Sequence, residues 1–227
     1  MVIPAAGRGT RMNSSTRKPF LPLADATILE HTLRAVNRAK GVQETVVVLH
    51  PEDVENTDRR RRLEDRTDVT RVVPGGDSRQ ASALAGVRAT SSAADVVLLH
   101  DGARPLVEPE LVEKVARRAR NAGAAIAAVP ATATVKEVDP DHCIRRTHDR
   151  DAIWLAQTPQ GFRRDLLLEA YERAYEDGFE GTDDAQLVER LGHEVEVVRD
   201  STSNIKITRP RDLPVAEALM EWTSRGG

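Results

Sequence analysis

The sequence has 227 residues, 40% of them apolar and only 3% aromatic, so a sizeable core must be packed from Val, Leu, Ile and Ala. Its formal net charge of −3 is too near neutral for nucleic acid or an anionic membrane to be the main partner. Cys143 is the only cysteine, which excludes an intrachain disulfide and a cysteine-rich zinc site; no run reaches the ~20 apolar residues of a membrane span, and no basic segment precedes the short apolar start as in a signal peptide, so a cytoplasmic protein is expected.

Val2-Ile3 reads as the end of an apolar strand, followed by a loop from Ala5 to Pro22 rich in Gly, Arg, Ser and Thr. Thr27-Ile28-Leu29-Glu30 fits a capping box, so a helix is predicted from Thr27 to about Lys40. Thr45 to Leu49 and Asp95 to His100 are apolar runs with the character of buried strands. Between them the pattern predicts a polar helix over about 51–66, a short strand near 70–73 and a helix from about Ser78 to Thr90. Pro109 suits the first position of a helix that Gly123 ends, and Ala124 to Val129 reads as a further strand. The pattern then breaks over 132–154. Thr134 to Val138 alternates, Asp139 to His142 is turn chemistry, and Cys143 to Thr147 can return as a partner strand. Helices near 165–177 and 183–191, a strand near 195–199 and a terminal helix from about Pro210 complete the chain.

Alternating apolar strands and amphipathic helices predict an α/β protein, a three-layer α/β/α Rossmann-like fold with a mostly parallel central sheet. One domain over 1–227 is expected, carrying a β-hairpin arm at 132–154 that either lies on the parent sheet or projects against a second subunit. Ligands of such sheets bind at the carboxyl ends of the strands. The loops after Ile3, Val73 and Leu99 should therefore line one site.

The strongest local signal is Pro4-Ala5-Ala6-Gly7-Arg8-Gly9-Thr10-Arg11, followed by Lys18. Small residues after a buried strand let backbone N–H groups approach phosphate oxygens, and Arg11 and Lys18 can supply positive charge. An ordinary loop with two solvated cations remains open. The dinucleotide fingerprint fails at Met12, and the P-loop fails for want of Gly-Lys-Ser/Thr. Lysine is scarce, with Lys18, Lys40, Lys114, Lys136 and Lys206 the only ones among 33 basic residues, so a lysine within a loop motif is informative. Gly75-Gly76-Asp77 reads either as a plain turn capped by Ser78 or as a ligand loop with Ser82. Arg79 is either a salt-bridging residue or part of the loop's closure. Asp101 ends a buried strand, where a carboxylate must be solvated, paired or bound. Lys206 alternates with Ile205 and Ile207, on an exposed edge or facing a site.

Taken together these segments resemble the sugar-nucleotide pyrophosphorylase superfamily. The Pro-Ala-Ala-Gly opening looks like that of the 2-C-methyl-D-erythritol 4-phosphate cytidylyltransferases of the non-mevalonate isoprenoid pathway. Gly75-Gly76-Asp77-Ser78-Arg79, His100-Asp101-Gly102-Ala103-Arg104-Pro105, Thr158-Pro159-Gln160, Thr182-Asp183 and Asn204-Ile205-Lys206-Ile207-Thr208 have counterparts in order, nearly spanning the chain. Pro19-Phe20 and Gly102 depart from the family's usual residues.

The resemblance implies a CMP transfer from CTP to 2-C-methyl-D-erythritol 4-phosphate with release of pyrophosphate, ribitol 5-phosphate being the alternative acceptor. A non-catalytic nucleotide sensor on the same fold is the alternative from outside enzymology. By resemblance Arg11, Lys18 and Lys206 are catalytic cations. Pro4, Ala5, Ala6, Gly7, Gly9, Thr10, Gly76, Asp77 and Ser82 hold CTP. Asp101, Gly102, Arg104, Thr134, Arg150, Thr158 and Thr182 hold the acceptor, with Thr134 and Arg150 reaching a partner subunit's site from the arm of a homodimer. One Mg²⁺, carried mainly by the CTP phosphates rather than by protein ligands, is the expected cofactor.

Overall fold

The computed structural model describes residues 1–7, 12, 14 and 16–225. Gly9, Thr10 and Arg11, singled out in the loop after Pro4, therefore lie outside the described residues. Strand β1 (Val2–Pro4) leads through a 3-10 turn at Lys18–Phe20 and a small hairpin, β2 (Pro22–Leu23) and β3 (Ala26–Thr27), into helix α1 (Ile28–Asn37). The capping box forms as the sequence predicts: Thr27 N–H donates to Glu30 Oε2 at 2.6 Å, and Glu30 N–H donates to Thr27 Oγ1 at 3.2 Å. Then follow β4 (Val46–Leu49), α2 (Pro51–Glu55), α3 (Thr57–Arg66), β5 (Arg71–Pro74), α4 (Arg79–Ala89), β6 (Val96–Leu99), α5 (Pro109–Ala122) and β7 (Ala124–Pro130). The predicted helix over 51–66 is two helices. Asn56 is extended, and its side chain accepts from Arg59 N–H at 3.0 Å, capping α3 and ending α2.

The predicted arm is β8 (Lys136–Val138) paired antiparallel with β9 (Ile144–Thr147), a separate two-stranded sheet that joins no strand of the main one. After it comes β10 (Trp154–Arg163), a ten-residue strand absent from the sequence reading. Then α6 (Arg164–Glu176), α7 (Asp184–Arg190), β11 (Glu196–Arg199) and α8 (Asp212–Ser224) close the chain.

The main sheet has seven strands in the order β11-β7-β10-β6-β1-β4-β5. Its pairings are parallel except around β10, which runs antiparallel between β6 and β7. A register shift between Ala156 and Gln160 accommodates Pro159, which has no N–H to give to a ladder. Strand alternation divides the core into two layers. Ile3, Val47 and Leu98 face one side, where Leu29, Leu33, Leu111 and Val115 of α1 and α5 pack on them. Val2, Val48 and Leu99 face the other, covered by Val87, Leu167, Tyr171 and Leu187 of α4, α6 and α7. The three-layer α/β/α arrangement follows. Among the described residues no helix is long and apolar enough to cross a membrane.

Candidate active site

From β1 the chain moves outward through β4 to β5, then returns to β6 on the opposite side of β1. The strand order thus reverses between β1 and β6, and a crevice opens beyond their carboxyl ends. A cavity of about 570 Å³ occupies this place. Its wall is built from Pro4 to Gly7 after β1, His50 and Pro51 after β4, Gly75 to Arg79 after β5, and Asp101 to Ala103 after β6. Lys18, Ser82 and Lys206 complete it.

The small residues at this rim serve close approach. A Cβ at Gly75 would lie 2.5 Å from Ala6 Cβ and 2.7 Å from Ser82 Oγ, so only glycine lets the loops after β1 and β5 meet. Ser82 is buried and uses its hydroxyl on the loop itself: Gly76 N–H donates to Ser82 Oγ at 3.2 Å, and that hydroxyl lies 3.3 Å from Gly76 O. Ser82 therefore shapes the loop. Asp77 is exposed on the same wall. At Gly102 a Cβ would meet Ala5 Cβ at 3.0 Å, so the space this glycine leaves is turned toward the β1 loop and the larger cavity.

One wall is shared with a second, smaller cavity of about 240 Å³. Arg79, Asp101 and Lys206 line both. Arg104, Thr158, Thr182 and Asp183 line the smaller one only. At the junction Lys206 Nζ sits 3.0 Å from Asp101 Oδ2, and Arg104 Nε donates to the same oxygen at 3.2 Å. Burial alone would raise the Asp101 carboxyl, but the two cations outweigh it and hold it well below the usual range. Asp101 is a carboxylate at any working pH. Arg104 also donates through Nη1 to Asn204 O at 2.6 Å, and Asn204 Nδ2 donates to Thr158 O at 2.9 Å. Arg104 thus borders the smaller cavity and at the same time braces Asp101 and the segment that carries Lys206.

His100 ends β6 fully buried, and its partners fix its proton. Nε2 faces the carbonyl of Arg104 at 3.1 Å, which can only accept, so Nε2 carries the hydrogen. Nδ1 then accepts from Thr158 Oγ1 at 3.1 Å, and that hydroxyl oxygen accepts Asp101 N–H at 3.0 Å. Burial pushes the imidazole down to about 4. His100 is a neutral strut that orders the strand end and does not act as a base.

Arg79 resolves as a salt-bridging residue. Its two terminal nitrogens reach Asp184 at 3.1 and 2.6 Å, and Asp184 also accepts the buried Tyr171 hydroxyl at 2.6 Å. Beside it Gln80 Nε2 donates to Phe179 O at 3.0 Å, and Gln80 Oε1 accepts Gly181 N–H at 2.9 Å. Gln160 Nε2 holds Asp183 at 2.8 Å. The loop bearing Thr182 is thereby tied to the start of α4, next to the Gly75-Gly76-Asp77 turn.

Of the residues singled out from sequence, Pro4 to Gly7, Lys18, Gly76, Asp77, Ser82, Asp101, Gly102, Arg104, Thr158, Thr182 and Lys206 converge on these two adjoining cavities. Thr134 and Arg150 do not. Both are exposed at the arm, and Arg150 Nη1 donates to Thr132 O at 3.2 Å. His50 and Pro51 were not anticipated, although the rule that ligands sit beyond strand carboxyl ends applies equally to β4. Among the described residues no group of three or more His, Cys, Asp or Glu is arranged to hold a metal ion.

A family model described as 2-C-methyl-D-erythritol 4-phosphate cytidylyltransferase matches residues 1–222. A protein of that name from Syntrophus aciditrophicus is 43% identical over 221 residues, covering 97% of this chain and 94% of its own length. Its counterpart from Pelotomaculum thermopropionicum is 44% identical over 223 residues, with 97% and 93% covered. Among solved structures, the 4-diphosphocytidyl-2C-methyl-D-erythritol synthase of Anaerococcus prevotii is similar with a TM-score of 0.86 at 33% identity, covering 97% of this chain and 94% of that one. The 2-C-methyl-D-erythritol 4-phosphate cytidylyltransferase of Thermus thermophilus is similar with a TM-score of 0.79 at 36% identity, covering 97% and 98%.

Proposed function

The chain belongs to the 2-C-methyl-D-erythritol 4-phosphate cytidylyltransferase family and is a nucleotidyltransferase of isoprenoid precursor synthesis; from that premise we propose that CTP occupies the larger cavity and the polyol phosphate the smaller one. The observation that carries this reading is the Asp101–Lys206 pair on the wall the two cavities share. An oxygen of the acceptor phosphate attacks the α-phosphorus of CTP. The new P–O bond forms as the bond to the β-phosphate breaks, and pyrophosphate leaves with the electron pair.

A phosphate monoester with a second pKa of about 6 is already largely dianionic at neutral pH, so no general base is needed. That agrees with a neutral, fully bonded His100. The chemical problem is bringing two anions together, and fixed positive charge solves it. Lys206 stands where the anions meet, with Lys18 on the CTP side and Arg11 assigned to the same phosphates. An ionised Asp101 repels phosphate but accepts from hydroxyls, so it suits the polyol part of the acceptor while holding Lys206 in place. The backbone amides of Ala6, Gly7 and Asp77 are offered to the phosphates and the base, those of Ala5, Gly75 and Gly76 being bonded within the protein. Thr182, exposed at the smaller cavity, offers its hydroxyl to the acceptor, while Thr158, its own hydroxyl committed to His100 and the Asp101 amide, shapes that wall.

Mg²⁺ fits as an ion that arrives on the CTP phosphates. The one carboxylate deep at the junction, Asp101, is already committed to Lys206 and Arg104. When bound, the ion neutralises phosphate charge. A homodimer is proposed in which the arm carries Thr134 and Arg150 to the partner's acceptor site, supported by Val138 and Ile144 exposed on its two strands. A cytoplasmic location agrees with the pathway.

The test is CTP-dependent pyrophosphate release with 2-C-methyl-D-erythritol 4-phosphate, compared with ribitol 5-phosphate. Turnover should favour the former; faster reaction with ribitol 5-phosphate, or CTP binding with no turnover on either acceptor, overturns the reading. Lys206→Ala should lose about 2.7–4 kcal/mol of transition-state stabilisation, a hundredfold or more in kcat, by analogy with deletion of an oxyanion donor. Wild-type turnover in that variant removes Lys206 from the mechanism.

A further inference from the structure

Lys18 is the first residue of the 3-10 turn, and what flanks it is an ionic clasp to a different part of the chain. Arg17 Nη1 donates to Asp53 Oδ1 at 3.0 Å, and Arg17 Nη2 bonds Glu52. Asp53 is 1% exposed and also accepts from Arg59, whose guanidinium lies 4.7 Å over the Phe20 ring. The turn is closed by its own backbone, with Phe20 N–H donating to Arg17 O at 3.0 Å and Leu21 N–H to Lys18 O at 3.1 Å. Lys18 is thus bracketed: Arg17 is held on one side and Phe20 on the other, both by groups that meet at one carboxylate.

Asp53 is itself set by the site. It lies in α2, the single-turn helix whose N-cap His50 and first residue Pro51 form part of the larger cavity's wall, and Asp53 N–H donates to His50 O at 2.8 Å. Among the described residues Asp53 Oδ2 is buried with no hydrogen-bond partner.

We propose that Asp53 is a positioning residue of the reaction, fixing Lys18 at the rim of the CTP cavity through Arg17. The proposal rests on the reading of Lys18 as a phosphate-binding cation. It assigns a purpose to Arg17 and Phe20, the residues that flank Lys18-Pro19. A flexible lysine must be ordered at each turnover, whereas a braced one meets the phosphates already aligned.

The test is a kinetic double-mutant cycle on the full chain, with folding checked by thermal melts and rates measured well below each midpoint. Arg17→Met and Asp53→Asn should each lower kcat about 10- to 100-fold, the scale of a misplaced catalytic group. Arg17→Lys, which keeps the charge, should recover part of the loss. In a Lys18→Ala background, Arg17→Met should cost less than about twofold more, because its action passes through the missing lysine. Lys18→Ala slow with Arg17→Met and Asp53→Asn at wild-type kcat overturns the clasp alone, as do losses that multiply in the Lys18→Ala background. Lys18→Ala at wild-type rate overturns the phosphate-binding reading of Lys18 and, separately identifiable, the proposal built on it.

Discussion

His100 shows how one side chain's surroundings fix its chemistry and then its pH response. In the unfolded chain its imidazole takes a proton near pH 6.5, while in the folded protein burial holds it down to about 4. The unfolded state therefore binds the proton first as pH falls. The stabilisation is whole above about pH 6.5 and is lost as pH drops toward 4. At pH 5 the loss from this group should be about 2 kcal/mol. Urea denaturation at pH 7 and pH 5 measures it. His100→Gln should be less stable at pH 7 yet lose less over that interval; an unchanged pH slope contradicts the assignment. Asp101 behaves oppositely at the functional level, since its carboxyl stays ionised throughout. Asp101→Asn should lower kcat by releasing Lys206, and the acid limb of the rate profile should stay where it was.

At the scale of elements, the tie between α4 and α7 carries its own prediction. Asp184 is wholly buried, and Arg79 balances its charge while Tyr171 donates to it. Arg79→Met strands that carboxylate and should cost about 3–5 kcal/mol in denaturant unfolding. Adding Asp184→Asn should recover part of this, because the stranded charge is gone. A double variant no more stable than Arg79→Met would refute the charge argument. The elements differ in how plainly the sequence announced them. Thr27-to-Glu30 and the Pro109…Gly123 frame were legible because caps act within one turn. The breaker within 51–66 was less so, since Asn56 looks like any polar residue until its side chain is seen capping. β10 was missed because Gln157-Thr158-Pro159-Gln160-Gly161 has no apolar alternation. Its polar groups are tolerated in the middle of the sheet only through distant partners: Thr158 bonds His100, and Gln160 bonds Asp183 and Ala185 N–H. The site divides the same way. Motif residues next to strand ends were readable, whereas the clasp from Arg17 to Asp53 joins segments 36 residues apart.

For the whole molecule, the unfinished feature is the arm. Val138, Ile144 and, at its root, Leu155 are about half or more exposed, and Thr134 and Arg150 line neither cavity of their own chain. If the arm docks on a second copy, replacing residues 136–147 by a short Gly-Ser turn should shift the protein to monomer in analytical ultracentrifugation and raise the KM for the acceptor far more than that for CTP. A monomeric wild type with full activity at nanomolar concentration would rule this out.

The placement of β10 has a consequence for how such an assembly communicates. This strand begins at the root of the arm with Trp154 and within four residues delivers Thr158 to the wall of the smaller cavity, then continues into the middle of the sheet. Trp154 to Ala156 pair with β7, the register shifts through Gln157 to Pro159, and pairing with β7 resumes at Gln160. In the proposed dimer, a contact at Trp154 would lie four residues along the strand from Thr158, whose hydroxyl accepts the Asp101 amide. Subunit contact and acceptor recognition, as proposed, would then share one length of polypeptide.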